Sequence, residues 1–176
     1  MNFLSDTVAE NIKEYLSNYK MINDFIEIQS GKIINLSFRV KVYIDKSYDK
    51  SEVTKRIIDM IYDYMDIRRH MMGEDIYIGD LQKELSKLDG VENLVSIRVF
   101  NKIGSNAGYS DDASTQQIVD YTTCNYDDCD AYESETTGEN EIDLKKSDYT
   151  LFSEANSMFE IKYKNNDIKV EVRTRN

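Results

Sequence analysis

Residues 35–44 alternate between polar and apolar side chains. The polar positions include Ser37, Arg39 and Lys41, and the apolar positions between them are Leu36, Phe38, Val40, Val42 and Ile44. A period of two through β-branched and aromatic side chains is typical of an antiparallel strand with one buried face. The sequence therefore predicts a sheet whose apolar face must be covered by a second layer.

A shorter apolar group precedes this strand. Phe25, Ile26 and Ile28 come before Ser30 and Gly31, two residues that favour a turn. We therefore expect residues 23–45 to form a strand, a turn at Ser30–Gly31 and a longer strand.

The N-terminal segment has helical spacing. In residues 6–20 the apolar side chains recur every three or four positions, and Asp6 or Thr7 can cap the N-terminus. This spacing predicts an amphipathic helix with an apolar face formed by Val8, Ile12, Tyr15, Leu16 and Tyr19.

A second amphipathic helix is expected after the long strand. It opens at Ser47 or Asp49 and ends at Gly73, because glycine adopts a left-handed conformation at low cost. Its apolar face contains Val53, Ile57, Met60, Ile61, Tyr64 and Met65.

The segment after Gly73 is predicted to be a joint that fixes the orientation of one helix relative to the next. A short apolar run leads to Gly79–Asp80, which can cap a shorter helix, and Gly90 then releases the chain into another strand. The positions that form this structural joint are Gly73, Ile76, Tyr77, Ile78, Gly79, Leu81, Gly90 and Val91.

The composition of the sequence changes in its second half. Residues 111–143 contain eleven acids and no Lys or Arg, which equals the net charge of −11 of the whole chain. Charge repulsion and few apolar residues predict an exposed, mobile acidic loop. Beyond it, alternation at 159–163 and 168–172 around Asn165–Asn166–Asp167 predicts a C-terminal β-hairpin.

These elements predict an α+β fold, a two-layer sandwich in which helices cover an antiparallel or mixed sheet. The expected divisions are an assembly domain at 1–103, the acidic loop at 104–146, and the hairpin at 147–176, which could pack on the same domain.

Two groups of side chains could carry chemistry. Glu74 and Asp75 could act as a general acid and base in a cleft, or they could be solvated loop acids. His70 could be a ligand or base, or a surface residue at a helix end. We favour the structural interpretation of both and expect no enzyme, no catalytic residues and no cofactor. Adaptable methionines at 65, 71 and 72 fit either a partner surface or a core.

The acidic loop does not match the known patterns of cation sites. No aspartate in it is followed by glycine at the sixth position, as a calcium-binding helix–loop–helix requires. Cys124 and Cys129 are separated by four intervening residues and have no two further ligands nearby, so we expect unpaired thiols and no zinc. No metal residues are therefore predicted.

Charge and hydropathy exclude some partners. A net charge of −11 repels phosphate backbones, so no nucleic acid is expected. No apolar run approaches the roughly 20 residues needed to cross a bilayer, so no membrane insertion is expected. The N-terminus also lacks the pattern of a secretory signal.

Residues 33–100 resemble the C-terminal region of the baseplate J-like family, which includes the baseplate wedge proteins of contractile-tailed phages. The resemblance lies in the order of "INLSFRVKVYI", "SEVTKRIIDMIYDYMD", "MMGEDIYIGDLQKEL" and "LDGVENLVSIRV". The segments "AENIKEYLSNYKMINDFIEI" and "SMFEIKYKNNDIKVEVR" are similar to the T-even-like branch. The acidic loop has no counterpart that we can align.

The resemblance implies a structural subunit of the virion, located in the phage tail baseplate and made in the host cytoplasm. Its expected partners are copies of itself, in a dimer or ring, and other baseplate proteins. Two alternatives stay open: an enzyme that depends on a metal or small molecule and uses acidic carboxylates, and a non-viral adaptor domain.

Overall fold

The alternating run forms the central strand of the fold. In the computed structural model, which describes residues 5–119 and 139–174, this strand is β1 (Lys32–Ile44). Its five apolar side chains from Leu36 to Ile44 are each at most 1% exposed. The predicted half-buried strand is therefore confirmed, and it forms the floor of the core.

Both edges of β1 are paired. On one edge it pairs antiparallel with β3 (Val91–Lys102), which in turn pairs antiparallel with the short strand β4 (Glu139–Glu141). On the other edge it pairs parallel with β6 (Ser157–Glu160) and then with β7 (Ile168–Thr174). The result is a mixed five-stranded sheet with β1 at its centre.

Four α-helices, a short 3-10 helix (Ser105–Ala107) and a small second sheet complete the described elements. The helices are α1 (Asp6–Ser17), α2 (Lys50–Tyr64), α3 (Ile78–Ser86) and α4 (Lys164–Asp167). The second sheet pairs β2 (Ile76–Tyr77) with β5 (Thr150–Leu151).

The helices α2 and α3 cover the apolar face of the main sheet. Asp49 caps α2 through its side chain, which accepts the backbone N–H of Glu52 at 3.1 Å. The buried residues follow helical spacing in both helices, and all belong to one core with the apolar residues of β1: Val53, Ile57 and Ile61 in α2, and Ile78, Leu81 and Leu85 in α3.

The opposite face of the sheet is charged and cross-linked by ion pairs. Arg39 pairs with Glu139 at 2.6 Å, and Arg98 pairs with Glu141. Lys102 lies 3.0 Å from both Glu139 and the fully buried Asp167. Burial by itself would lower the pKa of Lys102, but hydrogen bonds to these carboxylates and to Tyr109 outweigh burial and raise it above its usual value.

The α+β prediction is confirmed, including two C-terminal strands at the expected positions. Their pairing requires a correction, because β6 and β7 lie end to end along β1 and do not form a hairpin with each other. The helical turn α4 joins them without reversing the chain, and buried Asp167 fixes it by accepting the N–H of Tyr163 and the hydroxyl of Tyr109 at 2.7 Å each.

The N-terminal prediction is confirmed for the helix and wrong for the strand. Ser5, and not Asp6 or Thr7, is the N-cap of α1. No strand forms in residues 23–31, and Phe25 is 98% exposed. The start of β1 has no edge to offer such a strand, because Asn156 accepts the N–H of Lys32 and Asp112 accepts that of Ile33.

The long helix ends earlier than predicted. The last residue of α2 is Tyr64, nine positions before Gly73. Asp66 accepts the backbone N–H of Arg68 at 3.0 Å and also binds its guanidinium, so the side chain offers the backbone an alternative to the helix. The same contacts hold the pKa of Asp66 low, at about 2.

The predicted acidic loop is ordered at both ends. Its residues 139–141 form β4, and Ile142 is 2% exposed in the core. Ile118 bridges Ile142, and Val119 donates to Glu141. The acids of β4 are therefore ion-paired and not solvated, because basic residues of β1 and β3 lie opposite them. Residues 120–138 lie outside the described part, and the domain division stays a prediction.

Truncating the core should cost far more stability than truncating α1. Ile57→Ala removes a fully buried side chain and is expected to lower the free energy of unfolding by about 2–5 kcal/mol. Ile12→Ala changes a side chain that is 39% exposed and should cost no more than about 0.5 kcal/mol. Urea unfolding of both variants checks this; equal losses would show that α1 packs on the core.

Candidate functional site

The joint between α2 and α3 is anchored by a distant part of the chain. Gly73 donates its N–H to Ser157 at 2.9 Å, and Ile78 donates to Tyr149 at 2.8 Å. Between these two bonds, β2 pairs with β5. The joint is therefore held at three successive points by residues 149–157, about 75 positions further along the chain.

The predicted joint residues fall into two groups. Ile76, Ile78 and Leu81 are buried in the core at 2% exposure or less, whereas Tyr77 is 56% exposed. The backbone of Tyr77 still contributes, because its carbonyl accepts the hydroxyl of Tyr64 at 2.9 Å and so ties the end of α2 to the start of α3.

The second group lies at the other end of α3. Gly90 has a φ of +94° and packs against α2, where a Cβ would lie 2.8 Å from Val53. Val91 then begins β3 and pairs with Ile44. Gly90 and Val91 therefore lie at the opposite end of α3 from the residues around Gly73.

The predicted cap of α3 requires a correction. The helix begins at Ile78, so Gly79 and Asp80 lie in its first turn and do not precede it. Tyr77 occupies the N-cap position without a side-chain hydrogen bond. None is needed for the N–H of Ile78, because Tyr149 accepts it.

The two acids of the joint accept hydrogen bonds from backbone N–H groups. Glu74 accepts the N–H of Met71 at 2.6 Å, and Asp75 accepts the N–H of Ser153 at 2.8 Å. Carboxylates used in this way stabilise turns and do not converge on a common point. The geometry therefore favours the structural interpretation of this pair.

His70 also lies in the joint. Its Nε2 is 2.8 Å from the carbonyl of Tyr64, so this nitrogen carries a proton and donates to the end of α2. Its Nδ1 lies 3.9 Å from a carboxylate oxygen of Glu74. The ring thus binds the end of α2 from outside the helix. Its side chain is only 17% exposed, so His70 is not the surface residue within the helix end that the sequence predicted.

The three methionines divide between core and surface. Met65 is 2% exposed and belongs to the core, whereas Met71 and Met72 are 80% and 53% exposed. Met72 lies against Gly31, where a Cβ would be 2.7 Å from its terminal methyl.

Potential metal ligands are not grouped in residues 5–119 and 139–174: no three His, Cys, Asp or Glu side chains there are placed to hold an ion. Cys124, Cys129 and the acids of residues 120–138 lie outside the described residues.

Open grooves line the helix layer, and one of about 680 Å³ runs between α2 and α4. Its lining is Lys50, Ser51, Thr54, Lys55, Ile58, Asp59, Lys164 and Asn165.

No signal in the sequence marks the residues that anchor the joint. Tyr149, Ser153 and Ser157 act through backbone groups or through short hydroxyl contacts in a polar segment. Backbone donors and acceptors leave no mark on residue type, so only the fold reveals these contacts.

Comparison with known proteins leaves the family open. A scan against models of known protein families finds no match, and a search of curated proteins finds no similar sequence. Among the described residues, no helix is both long and apolar enough to span a membrane.

The two glycines of the joint should respond oppositely to the same substitution. Gly73 has a φ of +78°, and a Cβ there would lie 3.1 Å from the backbone of Ala155, so Gly73→Ala should lower stability by about 1–3 kcal/mol. Gly79→Ala meets nothing within 4 Å inside a helix and should be neutral or stabilise by about 0.5–1 kcal/mol. Thermal unfolding distinguishes the two; a loss at Gly79 would contradict this account.

The acids of the joint should matter as acceptors and not as charges. Asp75→Ala removes the acceptor of the Ser153 N–H and is expected to cost about 1 kcal/mol, whereas Asp75→Asn keeps an oxygen in place and should cost less. Denaturant unfolding at neutral pH measures both. An Asn variant as unstable as the Ala variant would contradict this account, because the negative charge itself would then be required for stability.

Proposed function

We propose that the chain is a structural subunit of a contractile-tail phage baseplate, a wedge protein that assembles with copies of itself and with other baseplate proteins. The order of strand, helix, joint, short helix and strand over residues 33–100 supports the baseplate part of the proposal. The exposed N-terminal arm supports the assembly part.

The arm, residues 5–31, is the observation that carries the proposal. None of the residues of α1 is buried, although Val8, Ile12 and Leu16 form an apolar face and are 38–45% exposed. Beyond α1 the arm exposes Ile22 and Phe25 almost fully.

A helix of this kind is not expected to persist alone in water. Isolated helices shorter than about 12–15 residues are marginal, and most helical stability in proteins comes from packing an apolar face. The helix α1 has twelve residues. A neighbouring subunit that covers this face would both stabilise α1 and remove contiguous apolar surface from water.

The enzyme alternative has less support. The acids of the joint bind backbone N–H groups, and the acids of β4 are paired with Arg39, Arg98 and Lys102. A carboxylate committed to a structural partner lacks the freedom that a general acid or base needs. No described observation favours a second function.

Localisation in phage particles tests the proposal. Immunogold electron microscopy with an antibody to this chain should label the end of a contractile tail that carries the baseplate. Label on the capsid, or absence of the chain from purified particles, would contradict the proposed function.

The role of the arm is tested separately. Ile12→Asp should reduce incorporation of the chain into particles by at least tenfold, because it puts a charge on the apolar face of α1. Lys13→Asp, a charge change on the polar face of the same helix, is the matched control and should incorporate normally. The melting temperature of both variants should equal that of the native chain. Normal incorporation of Ile12→Asp would rule out the arm as an assembly surface.

A further inference from the structure

The main sheet has two outer edges, and they differ in regularity. Along β3, whose residues 100–102 are already paired with β4, the register against β1 shifts twice, leaving Val95 and Glu92 as extra residues. Along β7, seven consecutive residues pair with Phe38–Ile44 without any shift. Bulges twist an edge away from new partners, whereas a regular edge offers unpaired N–H and C=O groups to another strand.

The outer edge of β7 is therefore the better acceptor for strand addition. Within the described part of the chain, β7 pairs only with β1, so its other edge has no strand partner. Its side chains alternate between the two faces: Lys169, Glu171 and Arg173 are exposed on the charged face, and Val170 and Val172 pack against the core.

The charges of β7 are complementary to those of β7 in a second copy of the chain, in one antiparallel register. If two copies pair antiparallel with Val170 opposite Val170, Lys169 of each copy lies opposite Glu171 of the other, and Val172 lies opposite Ile168. If Glu171 were at the centre instead, Glu171 would face Glu171 and Lys169 would face Arg173. Opposite charges across strands stabilise a pair and like charges destabilise it, so the sequence disfavours the second register.

A third register, centred on Val172, would pair Glu171 with Arg173 of the second copy. Arg173 already donates to Glu171 of its own chain at 2.7 Å. Lys169, by contrast, has no carboxylate at ion-pair distance among the described residues, so the register centred on Val170 gives a partner to the cation that lacks one. In that register Lys169 shares Glu171 with Arg173 and with Lys41, which lies 3.8 Å from this carboxylate in its own chain.

We propose that β7 is a self-association surface, on which a second copy of this chain adds its own β7 antiparallel in the register centred on Val170. The two sheets then become one continuous sheet across a two-fold axis, with the helices of both copies on the same side. The open groove between α2 and α4 lies near the start of this strand, because α4 leads directly into β7.

The proposal specifies one contact of the assembly proposed above and rests on that function to this extent. Analytical ultracentrifugation of the full chain over a concentration series should show a monomer–dimer equilibrium. Lys169→Glu turns both cross-strand attractions into repulsions and should weaken the dimer about tenfold. The double variant Lys169→Glu with Glu171→Lys restores opposite charges and should return to within about twofold of the native dissociation constant.

Two controls fix the register. Arg173→Glu lies outside the paired region and should leave the dissociation constant within twofold of the native value. In a Cys124→Ser, Cys129→Ser background, Val170→Cys should form a symmetric disulfide on oxidation, and Val172→Cys should not, because it faces Ile168 of the second copy.

The proposal is overturned if the native chain stays monomeric, if Lys169→Glu has no effect, if the double variant does not recover, or if Arg173→Glu weakens the dimer and Val172→Cys cross-links in place of Val170→Cys. Any of these results leaves the baseplate assignment to the particle-labelling experiment, which does not depend on β7. If the labelling fails and the charge-swap variants behave as expected, the baseplate assignment is wrong and the β7 dimer stands.

Discussion

The pairing of β1 on both of its edges is the constraint on which the rest of the structure depends. One edge takes β3 from the middle of the chain, and the other takes β6 and β7 from its end. All these partners are long-range, so the entropy of closing long loops must be offset before the core can form. Once β6 is in place, residues 149–157 lie beside the joint and hold it through Gly73, β2 and Ile78. The orientation of α3 relative to α2 is therefore a consequence of the sheet.

The sequence predicted what depends on local periodicity. The alternation in β1, the helical spacing in α2 with a cap at Ser47 or Asp49, and the left-handed conformation of Gly73 were predicted, because each follows from the geometry of a single segment. The α+β class followed from the order of these elements.

The predictions that failed depend on which edges are already occupied. The segment containing Phe25 has the composition of a strand, yet the start of β1 is bonded to Asn156 and Asp112. The two C-terminal strands look like a hairpin in sequence, yet β1 offers each of them an edge. The acids of β4 look solvated until β3 places Arg98 and Lys102 opposite them. In the candidate site, the left-handed turn at Gly73 was predictable, but its anchoring acceptors are carbonyl oxygens that have no sequence signature.

The proposed function rests on surfaces that the described residues leave open. The joint is anchored within the chain, whereas α1 exposes an apolar face and the outer edge of β7 has no strand partner among the described residues. In a chain with a net charge of −11, long-range repulsion opposes association, so contacts must come from short-range features of this kind. An apolar helix face and a strand edge with alternating charge both meet that requirement.

Hydrogen–deuterium exchange of the free chain and of the chain within assembled particles tests the assembly claim most directly. The account predicts that amides of α1 exchange rapidly in the free chain, as in a marginal helix, and become strongly protected on assembly, while those of β1 and the joint stay protected throughout. Equal exchange of α1 in both states would contradict it, because the arm would then have no partner in the assembly.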